Sequence, residues 1–306
     1  MKAITYSEYG SPDVLELTER PMPKVGPGMV LVKVKAASVN PVDWKIMAGY
    51  LDAFMDLQFP AIPGWDVAGT VEAVGIDAPH FAPGDDVISY GRKDYVHGGS
   101  FAEYIALPER LLARKPKSLE WNESAGLPLA GLTAFQVLNR LGLTSGETVL
   151  IHGGSGGVGS LGIQIAVARG AKVIATASEK NHDFLRSLGA EPVAYGDGLG
   201  ERVKALRPEG VDVVADFVGG NLEATLDVLA GNGRHASIAD SEVEAHGGTW
   251  MWVNPVGAEL QQLADLVDEH GIRVEVARTL PLAEAADAFR INMEGHTRGK
   301  IVVSVP

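Results

Sequence analysis

Seven residues, Gly153-Gly154-Ser155-Gly156-Gly157-Val158-Gly159, constrain this chain more than any other stretch. Before them, Glu147 to His152 is a short apolar run with β-branched residues, which predicts a buried strand. After them, Val158 to Ala168 is apolar on most faces and stops at Arg169-Gly170, which predicts a helix. Strand, glycine turn and helix together make the setting that a dinucleotide site needs. Gly154-x-Gly156-x-x-Gly159 has the matching spacing. The first glycine is expected to allow the tight turn, the second to let backbone approach a pyrophosphate, and the third to let helix and strand pack closely. The unpaired N–H groups and positive end of the helix then face the phosphates. Gly154, Ser155, Gly156, Gly157, Val158 and Gly159 are therefore the expected phosphate-binding residues. The plainer alternative is a glycine-rich turn with no ligand.

A chain of 306 residues is long enough for two domains with separate cores. It has no cysteine, so disulfides, thiolate nucleophiles and zinc–thiolate sites are excluded. A net charge of −13 argues against general nucleic-acid binding. No apolar run approaches the roughly 20 residues needed to span a bilayer, and Met1 to Tyr6 has no leader pattern. A cytoplasmic protein without membrane or nucleic-acid partners is expected.

Up to about Ser118 the pattern is β-rich. Strands are predicted over Met1–Tyr6, Val14–Thr18, Met29–Ser38, Val67–Val74, Val87–Tyr90 and Ser100–Leu107, with a short helix after Asn40 and an irregular stretch from Leu51 to Pro63. Such short, turn-separated strands suggest a partly closed barrel. Helices are predicted over Asn122–Leu127 and Ala130–Leu141. From Thr148 strands and helices alternate: Val149–His152, Val158–Ala168, Lys172–Ala177, Asn181–Leu188, Pro192–Tyr195, Val211–Asp216, Leu222–Leu229 and Arg234–Ile238. That alternation is the signature of a doubly wound parallel sheet. A strand over Gly247–Trp252, a helix over Gly257–His270 and a strand–helix–strand tail complete the chain.

On these residues the sequence resembles the medium-chain dehydrogenase/reductase superfamily, within it the zinc-free quinone oxidoreductase branch. The matching stretches include Ala37-Ser38-Val39-Asn40-Pro41-Val42-Asp43, Pro63-Gly64-Trp65-Asp66-Val67-Ala68-Gly69, Pro83-Gly84-Asp85-Asp86-Val87, Gly99-Ser100-Phe101-Ala102-Glu103-Tyr104, Gly131-Leu132-Thr133-Ala134 and Arg298-Gly299-Lys300-Ile301-Val302. The resemblance implies an α/β protein with a GroES-like β-barrel domain (1–121 and 275–306), an inserted Rossmann domain (122–274), and cofactor and substrate in the cleft. It also implies a homodimer paired through the Rossmann sheets, where Trp250 and Trp252 read as core or dimer interface or, with Asn254, as lining of the substrate cleft. In the superfamily's zinc alcohol dehydrogenases, a Cys and a Gly-His-Glu segment hold the metal. Here Asn40 takes the place of the Cys, and Gly64-Trp65-Asp66 that of Gly-His-Glu. The eight histidines are scattered, without an HxH or HxxxH pair, so no metal site is expected.

NADPH is the expected cofactor. Ala177 ends the second Rossmann strand, where an NAD-selective site carries a carboxylate. Ser178 and Lys180 follow and suit a 2′-phosphate, with Glu179 expected to face solvent. The resemblance adds Tyr195 at the same phosphate, Thr133 on the nicotinamide side, Phe217 and Val218 by the nicotinamide ribose, and Lys300 to the cofactor set. Thr133 reads equally as a helix-interior threonine, and Tyr195 as a strand cap.

Without a metal Lewis acid, oxidation of a simple alcohol lacks its main electrostatic help. A quinone or an α,β-unsaturated carbonyl is already electrophilic and needs orientation and a few hydrogen bonds. Asn40 is the candidate donor to the acceptor oxygen. Tyr50 is the candidate to orient it or donate a proton. Asp66, turning between Gly64 and Gly69, is expected to be structural and Lys45 solvated. The leading expectation is an NADPH:quinone reductase. An enone or enal reductase and a low-turnover NADPH-binding regulatory protein are the alternatives, since fold alone does not fix activity.

Overall fold

A computed structural model describes residues 1–295 and 297–306. It divides into two compact units, Met1–Leu129 with Pro255–Pro306, and Ala130–Asn254.

The first unit begins with β1 (Lys2–Thr5), β2 (Glu16–Glu19), β3 (Met29–Val39), α1 (Pro41–Met47), β4 (Leu57–Ile62), β5 (Asp66–Val74), β6 (Asp86–Tyr90), β7 (Val96–Gly98), β8 (Tyr104–Pro108), β9 (Leu112–Arg114) and α2 (Trp121–Gly126). The alternating run Met29–Val39 buries its valines and leaves Lys33 and Lys35 half exposed, as a strand with one core face should. It is the hub of the unit, pairing with β5 and β8. Two elements differ from expectation. Leu57–Ile62, expected to be irregular, is a strand, although it contains Pro60. Its pairing to β7 registers only at Leu57↔Val96 and Ile62↔Gly98, so the proline breaks no ladder bond that the strand needs. The strand expected over Ser100–Leu107 begins later, at Tyr104.

The second unit comprises most of α3 (Pro128–Arg140), then β10 (Thr148–His152), α4 (Gly157–Ala168), β11 (Lys172–Ala177), α5 (His182–Ser187), β12 (Ala190–Ala194), α6 (Leu199–Leu206), β13 (Val211–Asp216), α7 (Leu222–Val228), β14 (Leu229–Ser237) and β15 (Thr249–Trp250). Its six strands lie in the order β12-β11-β10-β13-β14-β15, every neighbouring pair parallel. This is the Rossmann order, with the direction of winding reversing beside β10. Leu150, Ile174, Val193 and Val214 from the sheet pack with Leu199, Val203 and Val228 from the helices. The α6 helix is absent from the sequence reading. Gly198, in a left-handed conformation, starts it, and Leu199 and Val203 bury one face at helical spacing. The strand expected over Gly247–Trp252 shrinks to two residues.

The chain then returns to the first unit as α8 (Gly257–His270), β16 (Val276–Pro281), α9 (Ala285–Glu294) and β17 (Lys300–Ser304). β17 pairs antiparallel with β3 and parallel with β16. Phe289 of α9 is fully buried against Phe101, ring centroids 5.6 Å apart. The sequence reading places α2 and α8 within a 122–274 Rossmann domain, but both group with the first unit. Polar contacts explain this for α8. Gln261 accepts the N–H of Arg114, Asp268 accepts the N–H groups of Lys117 and Ser118, and a Cβ at Gly257 would lie 2.5 Å from the carbonyls of Arg110 and Leu112. Among the described residues no helix is long and apolar enough to cross a membrane.

Candidate active site

The glycine turn leaves β10 through Gly153, whose φ is +75°. The left-handed residue is thus Gly153, one position before the glycine that the motif spacing picks out. Its N–H donates to the hydroxyl of Thr176 at 3.0 Å, and that of Gly154 to the Thr176 carbonyl at 2.9 Å. Both tie the turn to β11. Gly154 is needed for packing, since a Cβ there would stand 2.9 Å from that of Ala175. Gly159 is needed more strictly. Its Cβ would stand 2.1 Å from the Gly153 carbonyl oxygen, so only glycine lets the first turn of α4 lie on the loop. At Gly156 the nearest atom is 3.4 Å away. Gly156 caps α4, and the first intrahelical bond runs from Ser160 N–H to its carbonyl. The N–H groups of Gly157, Val158 and Gly159 therefore have no partner within the helix. A helix N-terminus of this kind can hold an anion.

Two further segments converge on this turn. Asn181 donates from Nδ2 to the hydroxyls of Ser155, at 3.3 Å, and Ser178, at 3.4 Å, joining the loop to the end of β11. Lys180 is exposed there, and Glu179 is exposed too. Val218 lies against the turn, where a Cβ on Gly153 would come within 2.3 Å of it. Phe217 packs on α4 at Gly162. Val218 is held by Asp216, whose carboxylate accepts the N–H groups of Val218 and Gly219, the Asn221 amide and the Ser237 hydroxyl. Asn181 and Asp216 escaped the sequence reading. Asp216 carried a signal, being the last residue of a strand and followed by a Gly-Gly turn. Tyr195, beyond β12, is 55% exposed. Its carbonyl, with that of Ala194, accepts from Arg202 of the unforeseen α6. Thr133 is buried within α3.

The first unit gathers a different cluster. The register Ser38↔Asp66 sets the start of β5 beside the end of β3, and Val39↔Ile301 sets the start of β17 on its other side. Asn40 and Lys300 each lie one residue beyond that pair. Asn40, Asp43, Asp66, Ser38 and Lys300 are all buried. Asn40 donates from Nδ2 to Asp66 Oδ2 at 2.8 Å, and its Oδ1 accepts from Lys300 Nζ. Asp66 accepts also from the Ser38 hydroxyl and the Leu129 N–H, each at 2.8 Å. Lys300 Nζ reaches the Val39 carbonyl at 3.3 Å and Asp66 Oδ2 at 3.7 Å. Asp43, in the first turn of α1, accepts the N–H of Asn40 at 2.7 Å.

Burial pushes the Asp66 carboxyl up and the Lys300 ammonium down, and their mutual attraction opposes both shifts. Burial also lifts Asp43 to about 7, against the pull of the Asn40 N–H. Asp66 thus has the structural role expected of it, tying Ser38, Asn40, Leu129 and Lys300 together. Tyr50, ten residues on, is 68% exposed, its ring edge-on to Trp44 at 6.2 Å. Among the described residues no group of three or more His, Asp or Glu side chains is arranged to hold a metal ion.

Known proteins share this architecture. Residues 26–117 match the alcohol dehydrogenase GroES-like domain family, and residues 188–303 match a family described as zinc-binding dehydrogenase. An Arabidopsis thaliana chloroplastic NADPH-dependent alkenal/one oxidoreductase is 36% identical over 99% of this chain and 79% of its own length. A chloroplast envelope quinone oxidoreductase homolog from the same plant is 32% identical over 99% of this chain and 98% of its own. The solved structure of the quinone oxidoreductase from Coxiella burnetii superposes with a TM-score of 0.86, at 34% identity, covering 100% of this chain and 99% of that one. With a Rossmann unit set into a GroES-like chain and relatives of this kind along its whole length, the chain belongs to the medium-chain dehydrogenase/reductase superfamily, in the quinone oxidoreductase branch.

Proposed function

We propose that this protein transfers a hydride from NADPH to a quinone or a related conjugated carbonyl, without a metal. The observation that carries this reading is the buried Asn40 amide, bonded to Asp66 and Lys300 at the end of β3, at the position to which the resemblance assigns a cysteine ligand in zinc alcohol dehydrogenases. A hydrogen-bond donor suits an acceptor that is already electrophilic, because negative charge develops on its oxygen as hydride arrives. The residues around the glycine turn fit a dinucleotide. The α4 N-terminus takes the pyrophosphate, Ser155, Ser178 and Lys180 with Tyr195 take the 2′-phosphate end, and Phe217, Val218 and Thr133 flank the nicotinamide. The nicotinamide supplies the hydride. Tyr50 orients the acceptor. The alkenal/one and quinone oxidoreductases among the relatives support one reaction class with two acceptor types.

Absorbance at the nicotinamide band, followed with benzoquinone, with an enone and with neither, tests the reading. Turnover that needs an acceptor, prefers NADPH to NADH and survives a chelator supports it. Loss of activity with chelator would sink the metal-free part, and tight NADPH binding without turnover would turn the reading to a binding protein. A homodimer is part of the same proposal. β15 is the edge strand of the six-stranded sheet, and Trp250 and Trp252 are 47% and 42% exposed beside it. Light scattering giving one chain's mass would remove the dimer.

A further inference from the structure

Asn40 is gripped at both ends of its amide. On one side stands Lys300, whose ammonium has donors and no acceptor. On the other stands Asp66, whose carboxylate oxygens accept from the Ser38 hydroxyl, Asn40 Nδ2 and the Leu129 N–H. The two ends of an asparagine amide are nearly alike in shape, so an ordinary buried asparagine can turn over at little steric cost. Here a turn-over would set Nδ2 against the ammonium and Oδ1 against the carboxylate. The observed pairing, Lys300 Nζ to Oδ1 and Nδ2 to Asp66 Oδ2, is the one that satisfies both. Nδ2 carries two N–H donors, and Asp66 takes one.

We infer that Lys300 and Asp66 are a positioning pair that fixes the polarity of the Asn40 amide, so that its second N–H is always the group offered to the acceptor's carbonyl oxygen. The inference rests on the proposed role of Asn40 as donor. It gives Lys300 a task different from contact with the dinucleotide. The ammonium's three donors face the Val39 carbonyl, Asn40 Oδ1 and Asp66 Oδ2, all within the barrel unit. Asp66 is likewise saturated by Ser38, Asn40 and Leu129. Neither residue touches the acceptor. Each acts through Asn40.

Two locks on one group make a distinctive pattern. With Lys300→Met, Asp66 still dictates which end of the amide faces it. With Asp66→Asn, Lys300 still does. With both changes neither end of the amide faces a charged partner, since Asp43 bonds only the Asn40 backbone N–H, and the amide samples both orientations. Removing both members together leaves neither of the pair without its partner, so the double variant is expected to fold better than either single one.

The test uses the full chain with NADPH and benzoquinone, measuring kcat at saturating NADPH, acceptor KM, NADPH Kd and melting temperature. Each single variant should lower kcat by about threefold, and the double by roughly 10²-fold, the scale of losing one transition-state donor. That exceeds the product of the singles, as expected for coupled sites. NADPH Kd should stay within about twofold throughout, well under a tenfold change. A folded double variant with kcat near wild type overturns the inference. So do single variants as slow as the double with losses that track melting temperature, which marks a purely structural pair. A weakened NADPH Kd in Lys300→Met with unchanged saturated kcat also overturns it, and assigns Lys300 to the cofactor. Asn40→Leu separates the two layers. If it turns over like wild type, the donor role itself fails. If it is slow while the double variant is fast, only the positioning pair fails.

Discussion

The glycine turn and the Asn40 cluster both gather N–H groups, and they are built in opposite ways. The turn is local. Its donors are backbone groups between Gly153 and Gly159, and the main constraint is the missing Cβ at Gly159, which lets α4 lie on the loop. The Asn40 cluster is assembled from chain positions far apart: Ser38 and Asn40 at the end of β3, Asp66 at the start of β5, Leu129, and Lys300 at the start of β17. Its centre is one side-chain amide, held between a lysine and a carboxylate. A local device tolerates change around it and fails when a glycine is filled. A dispersed device tolerates changes of shape and fails when a charge is left alone.

The sharpest way to break this contrast is Gly159→Val. The added atoms collide with backbone 2.1 Å away, so the turn must move. NADPH affinity should fall by at least about 10²-fold, or the protein should fail to fold, overpacking of this kind costing about 1–3 kcal/mol or more. Gly156→Ala is its control, because its Cβ meets only one atom at 3.4 Å. It should keep the melting temperature and lose affinity alone, as fluorescence titration with NADPH would read. Equal melting temperatures for both variants would refute the packing account.

Next in size is Lys180→Ala. A charge-assisted hydrogen bond contributes about 1.5–3 kcal/mol, or roughly ten- to hundredfold. NADPH should weaken by that factor while NADH is nearly unchanged. Equal losses for the two cofactors would remove Lys180 from the 2′-phosphate.

The barrel unit should show its buried charge as a pH dependence. Asp43 ionises near 3.8 when unfolded and at about 7 when folded. Between these values the folded chain holds a proton that the unfolded chain has released. Its contribution to stability is therefore complete below about 4 and is lost as the pH rises through 7, by up to about 1.4 kcal/mol per pH unit. Asp43→Asn should flatten the slope of denaturant stability against pH in this window. An unchanged slope would show that Asp43 is already ionised in the folded state.

The smallest effect is expected at Tyr50→Phe. The phenol is mostly exposed, so its loss should raise acceptor KM by about threefold, within the 0.5–1.5 kcal/mol of one neutral hydrogen bond. A large fall in kcat instead would make Tyr50 a proton donor.

Much of this protein was legible as a string. The alternation of Met29–Ser38, the strand–turn–helix around Gly153 and the bounds of Val211–Asp216 and Gly257–His270 reappear in the structure, because hydrophobic period and glycine punctuation act over a few residues. The α6 helix was missed for want of an N-cap side chain at Gly198, and β4 because Pro60 read as a breaker. Asn40 and Asp66 stood out in the sequence, each as a departure from a metal-ligand pattern, but nothing in it joined them to Lys300. That join depends on the register of β17 on β3, set by a strand returning from the far end of the chain. A local signal reports what neighbours in sequence can do. Only tertiary pairing decides which distant charges share one buried amide, because a buried charge is stable only where the fold supplies its partner.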